Sequence, residues 1–482
     1  MKTIYFALIV GMLSLNSCNS YLDIKPKGFT IPEKTGDYQL LMNSTSLISS
    51  TPGYPTYLTD DINAGTINDP VTAARFDSFS FLKKQLYSFA PGATLEDGQM
   101  DSFWESAYGR IFTYNVVVNN VLSSTEGSER EKMRLCAEAK VGRAFEYLNL
   151  VNVYSAYYNP NTASSDLGVP MVLAEDVNAS YERVSVDAVY KQIKKDISEA
   201  LPHLSQTTSN RYQAILSVSH AFLARVNLYQ GNYKDALSEA KNALALNSNL
   251  MDYSLYTTKD KTTWGRVCLK TDPLVPMLDF QNNPEVIWAK KGTSSDGEFN
   301  AEFYASPDFV STYSTDLPVG AIDKRFDLFF CKDRASFGPN ELKFPGKVLF
   351  APYVAFNMGF GTAEMFLIAA ECEARLGNAS EAINYLNTLR ASRIENYQPL
   401  GSKDAVEALK ITLDERRREF PFMASTRFFD LKRLAVTGDL IKTIQHPLDG
   451  KMMEIKSNDR RMILPVPPKV LSMNPGIPQY ER

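Results

Sequence analysis

The chain is short of the residues on which most enzyme chemistry rests. Its 482 residues include only 3 histidines, 3 tryptophans and 5 cysteines. His203 follows a helix-ending proline, His220 sits in a helical pattern and His446 precedes Pro447; none falls in a metal-binding or catalytic-triad spacing. No Cys-x-x-Cys pair occurs, so the sequence carries no structural zinc pattern. Cys136 and Cys372 lie in alanine-rich helical surroundings and read as small buried hydrophobes, whereas Cys268 and Cys331 stay open as a disulfide or as two thiols. A basic arm is missing as well. The net charge of −4 is spread along the chain, which excludes the phosphate-neutralising surface that a nucleic-acid partner requires. No long Gly/Ser- or Pro-rich linker divides the sequence, and one large unit is expected.

What is present begins with an address. Lys2, the apolar run from Ile4 to Leu15 and the approach Leu15-Asn16-Ser17-Cys18 have the form of a secretory signal. The run is too short for a membrane-spanning helix, which needs roughly twenty apolar residues. Cysteine at the cut, with leucine three positions earlier, suits a lipidating signal peptidase. Cys18 is therefore expected to become a lipid-bearing N-terminus, each buried CH₂ adding about 0.8 kcal/mol to membrane attachment. The expected organisation is a signal over 1–17, a lipidated N-terminus and tether over 18–37, and a folded unit over 38–482.

Apolar spacing predicts helices over 103–122, with Trp104 in the core, over 132–154, and over 186–201 before Pro202; Pro160, Gly168 and Pro170 make 159–181 loop or extended chain. From Ala214 the pattern becomes a helical hairpin with a Gly231-Asn232 turn. Gly231, Tyr233, Ala236, Ala240 and Ala243 then take the spacing of a tetratricopeptide repeat, in which glycine permits the turn and alanines let two helices approach. A second copy spans 363–392 around Gly377, Ala382, Leu386 and Leu389. The helices thus fall mainly within 103–247 and 362–436, and the loop-rich insertion 248–361 between them argues against a continuous solenoid. Within it, 286–289 reads as a short strand with Trp288 packed on the scaffold. The fold class is mainly α, a tetratricopeptide-like scaffold carrying a large irregular insertion.

Near the C-terminus, LDERRREFPFMASTRFFDLKRL interleaves Glu415, Arg416, Glu419, Arg427, Asp430 and Arg433 with Phe420, Phe422, Phe428 and Phe429. Charges so mixed with aromatics cannot all face water, and a semi-buried network of arginine and carboxylate under aromatic packing is expected. A catalytic carboxylate pair is the sharper alternative. The segment resembles the ER-x-x-E-F…R-x-x-DL-x-R signature of the SusD/RagB family of surface lipoproteins. Tyr21-Leu22-Asp23-Ile24 after Cys18, Ala137-Glu138-Ala139-Lys140, the Gly231 repeat, Ala370-Glu371-Cys372-Glu373-Ala374 and Leu464-Pro465-Val466-Pro467 resemble other parts of that family in the same order. Pro421 and Ala424-Ser425-Thr426 depart from it, standing where a Glu-Gly-x turn is usual.

The resemblance implies a non-catalytic lipoprotein of the outer membrane of Bacteroidetes-type bacteria, exposed at the cell surface. Such a protein pairs with a SusC-like TonB-dependent barrel and acts as a hinged lid that captures a nutrient, a glycan in most members and a peptide in the RagB branch. No cofactor is implied. A sugar site needs aromatic faces beside polar groups. On that ground the candidate ligand residues are Tyr54 and Tyr57 in a Pro/Gly loop, Trp264 beside Lys261 and Arg266, and Phe299, Tyr304 and Tyr313 after Gly297. Asp60, Asp61 and Asn63 are candidates for structural calcium or for a turn. A glycosidase working with two carboxylates, and a repeat scaffold that binds only proteins, are the competing readings.

Overall fold

The computed structural model describes residues 32–482 apart from positions 97, 177–180, 260–265, 293–300, 337–340 and 353. The signal, Cys18 and most of the tether, together with Lys261, Trp264 and Phe299, lie outside the described residues. Its helices are α1 (Thr35–Met42), α2 (Phe81–Tyr87), α3 (Ser102–Asn120), α4 (Glu129–Tyr154), α5 (Val186–Ala200), α6 (Leu216–Tyr229), α7 (Tyr233–Leu246), α8 (Pro307–Thr312), α9 (Lys324–Phe329), α10 (Thr362–Arg375), α11 (Ala379–Ala391), α12 (Ala405–Glu419), α13 (Thr426–Thr437) and α14 (Pro468–Met473). Helix α1 begins inside the stretch read as tether, because Tyr38 is buried and the Thr35 amide donates to the Thr125 carbonyl.

Local chemistry explains the long helices. Asp101 caps α3 by accepting from the Phe103 and Trp104 amides, and Ser128 with Glu131 forms a capping box at the start of α4. Helix α4 is buried on every side from Leu135 to Tyr154, which makes it the central rod of the molecule. Its charged residues are paired where they pass through the core: Arg143 holds Asp196 of α5 at 2.7 and 2.9 Å. Gly142 lets α3 close onto α4, since a Cβ there would sit 2.3 Å from the Tyr114 ring.

Both repeat hairpins form as expected. Gly231 and Gly377 take φ of +75° and +89° in the turns α6–α7 and α10–α11, where a Cβ would be strained. Ala236, Ala240, Ala243 and Ala382 are fully buried at the close helix contacts. One expectation fails in space. Helix α10 packs directly on α7, and on α6 and α12, so the array that the sequence interrupts is continuous in three dimensions, and the insertion loops out of it. The interhelix seam is apolar and carries its own ion pairs, Lys241–Glu373 at 2.8 Å and Arg225–Glu364 at 2.6 Å.

Every sheet among the described residues has two strands. The insertion contributes Val286–Trp288, paired with Phe360–Gly361, and a longer hairpin of Phe330–Ser336 with Glu341–Phe350. Trp288 packs edge-on to Phe145 of α4, in line with its expected place on the scaffold. Cys268 and Cys331 are both buried and carry thiols rather than a shared disulfide.

The predicted charge network is present, and α12 is its hub. Successive residues of a helix point about 100° apart, so Arg416, Arg417 and Arg418 face different partners. Arg416 pairs with Asp430 of α13 at 2.9 Å, Arg417 with Asp61 at 2.7 Å and Asp308 of α8 at 2.9 Å, and Arg418 with Glu415 at 2.7 Å. Glu415 also meets Arg325 and Arg390 at 2.7 Å, and Glu419 meets Arg393 at 2.9 Å. Glu371 accepts both arms of Arg433 at 2.6 and 2.8 Å. Glu415 and Glu419 are thus committed to guanidinium groups, which removes the catalytic pair.

Two substitutions test this network. Glu415→Gln leaves three buried guanidiniums under-compensated and is expected to lower unfolding free energy by about 3–5 kcal/mol, read by denaturant titration. Burial pushes Glu371 upward, but Arg433 and Arg375 outweigh it and hold the carboxyl down at about 2. The unfolded chain then binds the proton more readily, so this stability is complete above pH about 4.5 and is lost as pH falls toward 2. The melting temperature of Glu371→Gln should accordingly vary less between pH 5 and pH 2 than that of the parent, as scanning calorimetry at ~pH 2–5 would show.

Candidate functional site

The loop before Ile62 is built from Pro52, Gly53 and the short 3-10 helix Tyr54–Leu58, and it is fixed at both ends. At one end the Ser425 hydroxyl donates to the Pro52 carbonyl. At the other, Asp60 accepts two bonds of 2.8 Å from Arg427 and one of 2.9 Å from Lys442. Between these anchors the Tyr54 hydroxyl donates to Asp101 Oδ2 at 2.7 Å, and Tyr154 donates to the same oxygen at 2.7 Å. One carboxylate therefore caps α3, orients the Tyr54 ring and ties in the end of α4. Burial raises the Asp101 carboxyl, against the lowering effect of the two tyrosine hydroxyls, and burial drives the Tyr54 hydroxyl well above its ordinary value.

Tyr54 stands at a cavity of about 710 Å³, within the range of small-molecule sites, roughly 300–1,000 Å³. Its walls are the 46–54 loop, Lys83 of α2, and the first two turns of α3 with Phe103, Ser106, Gly109 and Arg110. Arg110 is oriented from behind: Nη2 donates to fully buried Glu146 at 2.9 Å, and Glu146 also accepts the Ser50 hydroxyl. Lys83 is held by Glu302 at 2.6 Å. The cavity thus offers aromatic surface, serine hydroxyls and two fixed cations, a composition able to bind and orient a hydroxyl-rich ligand.

Of the aromatic candidates within the described residues, only Tyr54 is part of these walls. Tyr57 is fully buried, edge-on to Phe79 and Phe303, with its hydroxyl on Glu302 at 2.6 Å. Tyr304 is buried against Phe344, and Tyr313 among Phe309, Phe326 and Phe330 with its hydroxyl on the Arg418 carbonyl at 2.9 Å. These three have no face open to a sugar, because they are packed into cores that the insertion shares with the rest of the chain. Arg266, expected near Trp264, is fully buried and donates to the Leu328 carbonyl.

Asp60 and Asp61 do not fit a calcium ion. Arg417, Arg427 and Lys442 already occupy their oxygens, and Asn63 pairs with Tyr304 in a strand. Among the described residues no group of three or more His, Cys, Asp or Glu could hold a metal ion. His446 is a core residue, stacked between Tyr87 and Phe89 at 4.2 and 4.6 Å.

Lys83, Phe103 and Arg110 are wall residues that sequence patterns alone do not single out. Arg110 does leave a signal: it falls on the apolar stripe Phe103, Trp104, Ala107, Ile111 and Tyr114, where a charge needs a partner.

Comparisons with known proteins agree with this architecture. Residues 21–228 match the family described as "Starch-binding associating with outer membrane", and residues 358–481 match the SusD family. Together the two matches cover more than half of the chain. The chain belongs to the SusD/RagB family. SusD-like protein P2 of Formosa agariphila is 23% identical over 91% of this chain and 92% of its own. The crystal structure of a SusD superfamily protein from Bacteroides thetaiotaomicron superposes with a TM-score of 0.70 at 20% identity, over 93% of this chain and 100% of that one. A SusD-like carbohydrate binding protein from Bacteroides vulgatus gives 0.64 at 18% identity, over 92% and 97%. At these identities the structures establish a shared fold. Membership in the SusD/RagB family makes the protein a binding protein and not an enzyme.

The departure from the usual family turn has a structural consequence here. Phe422, Ala424 and Ser425 adopt φ of +56°, +47° and +55° between α12 and α13, a left-handed conformation that side chains resist. The strain is held by Phe422 packing on Phe303, Phe309 and Phe350 and by the Ser425 bond to the loop that carries Tyr54. Ala424→Gly should relieve part of it and raise unfolding free energy by about 1 kcal/mol, measured by urea titration.

Proposed function

We propose that this protein is a lipid-anchored glycan-binding component of an outer-membrane uptake system. Cys18 anchors it at the cell surface, an oligosaccharide enters the cavity at Tyr54, and the protein passes it to a SusC-like TonB-dependent barrel as a hinged lid. The observation that carries the glycan reading is the cavity itself, with Tyr54 set beside serine hydroxyls and fixed cations in a family described by starch binding. Sugar rings offer C–H faces to aromatic groups and hydroxyls to polar ones, and both needs are met on one wall.

The scaffold suits this role. Tyr54 is held by Asp101, and Arg110 by Glu146, so little side-chain entropy is lost when a ligand binds. Lid closure would then move the stack as a rigid body over the barrel.

Ser106 is exposed on α3 at the cavity wall, so a bulky side chain there fills the cavity without entering the core. Ser106→Trp is expected to weaken binding of the glycan selected from an array by at least ~10-fold in calorimetry, with melting unchanged. Unaltered binding by that variant would place the ligand elsewhere. Native co-purification of the Cys18-intact chain should bring down a TonB-dependent barrel; its absence would refute the lid.

A further inference from the structure

The cavity wall has a sign. Among the described residues its lining includes Lys83 and Arg110 and no aspartate or glutamate, Lys83 being paired with half-buried Glu302 outside that lining. The balancing carboxylate of Arg110 lies behind the wall, since Glu146 is fully buried, and the ion pair therefore turns its positive end toward the cavity. Arg110 itself is 7% exposed, yet among the described residues its Nε has no hydrogen-bond partner and its one ion pair is with Glu146. Nε is enclosed by protein and Nη2 is committed to Glu146, so the guanidinium would present its other terminal amino group, Nη1, to an incoming acceptor. Ser102 and Ser106 of α3 add hydroxyl donors to the same space, the positive end of the helix itself being taken up by Asp101.

From this we infer that the ligand is an acidic saccharide, one whose sugar rings carry carboxylate or sulfate groups. The inference rests on the cavity being the glycan site. Arg110 would supply a charge-assisted hydrogen bond to the anionic group, Lys83 would face it across the cavity, and Tyr54 would take the apolar face of the ring. Glu146 is the positioning residue that keeps Arg110 pointed at the ligand.

The test is calorimetry on the full chain with matched pairs: tetragalacturonate against its carboxyl-reduced form, and a sulfated galactan oligosaccharide against its desulfated form, beside a panel of neutral oligosaccharides. The charged member of one pair should bind at least about tenfold tighter than its neutral counterpart, the size of one charge-assisted hydrogen bond. Which pair shows the gap separates uronate from sulfate. Lys83→Gln should shrink the gap while Lys83→Arg preserves it, and raising salt from 0.05 to ~0.5 M should narrow it. Tighter binding of any neutral oligosaccharide overturns the acidic assignment and leaves the glycan reading standing. Binding of no saccharide at all overturns both, and capture of an acidic peptide in their place reassigns the cavity to peptides.

Discussion

The rest of this structure depends on pairing guanidinium groups with carboxylates where water is excluded. A buried charge costs several kcal/mol unless it is met by an opposite charge in good geometry. Glu415, with partners on α9, α11 and its own helix, and Glu371, with partners on α10 and α13, are placed where no single helix could satisfy them. Each pair therefore holds two or three segments in one arrangement. Such pairs add little to stability compared with apolar packing, but they tolerate few alternatives. Here they fix how the insertion and the N-terminal loop sit on the helical stack.

The hub geometry follows from helical pitch. Three consecutive arginines on α12 point about 100° apart, so one turn of helix touches α13, the Asp60-Asp61 loop, and the insertion at Thr312. The loop so held carries Tyr54, and α3 carries Phe103 and Arg110. The cavity wall is thus a product of the scaffold's charge network even though no hub residue lines it. The strained turn after α12 belongs to the same linkage, because its Ser425 hydroxyl reaches the Pro52 carbonyl.

The helical hairpins could be read from the sequence because their determinants are local. Glycine at positive φ, alanine at the close contacts and an apolar stripe every three or four residues lie within thirty positions of one another. The carboxylate–arginine network was legible in kind, since charges interleaved with phenylalanine cannot all reach water and must pair with one another. Its partners were not, because Arg417 and Asp61 are 356 positions apart. The central helix α4 was legible as a helix over 132–154, but its burial on every side was not, since that depends on the segments packed around it.

The aromatic candidates divide on the same physical ground. Whether a loop tyrosine faces solvent or core depends on segments remote in the chain: Tyr57 is withdrawn by Glu302, 245 positions away, while Tyr54 is turned to the cavity by Asp101 and Tyr154. Periodicity, turn chemistry and the signature motif by themselves determined the hairpins, the family resemblance and the non-catalytic class. Tertiary structure alone decided that the two repeat hairpins stack without a gap, which tyrosine is available, and that Arg110 and Lys83 share a wall. Those outcomes arise from burial and charge pairing between distant segments, which no local run of residues encodes.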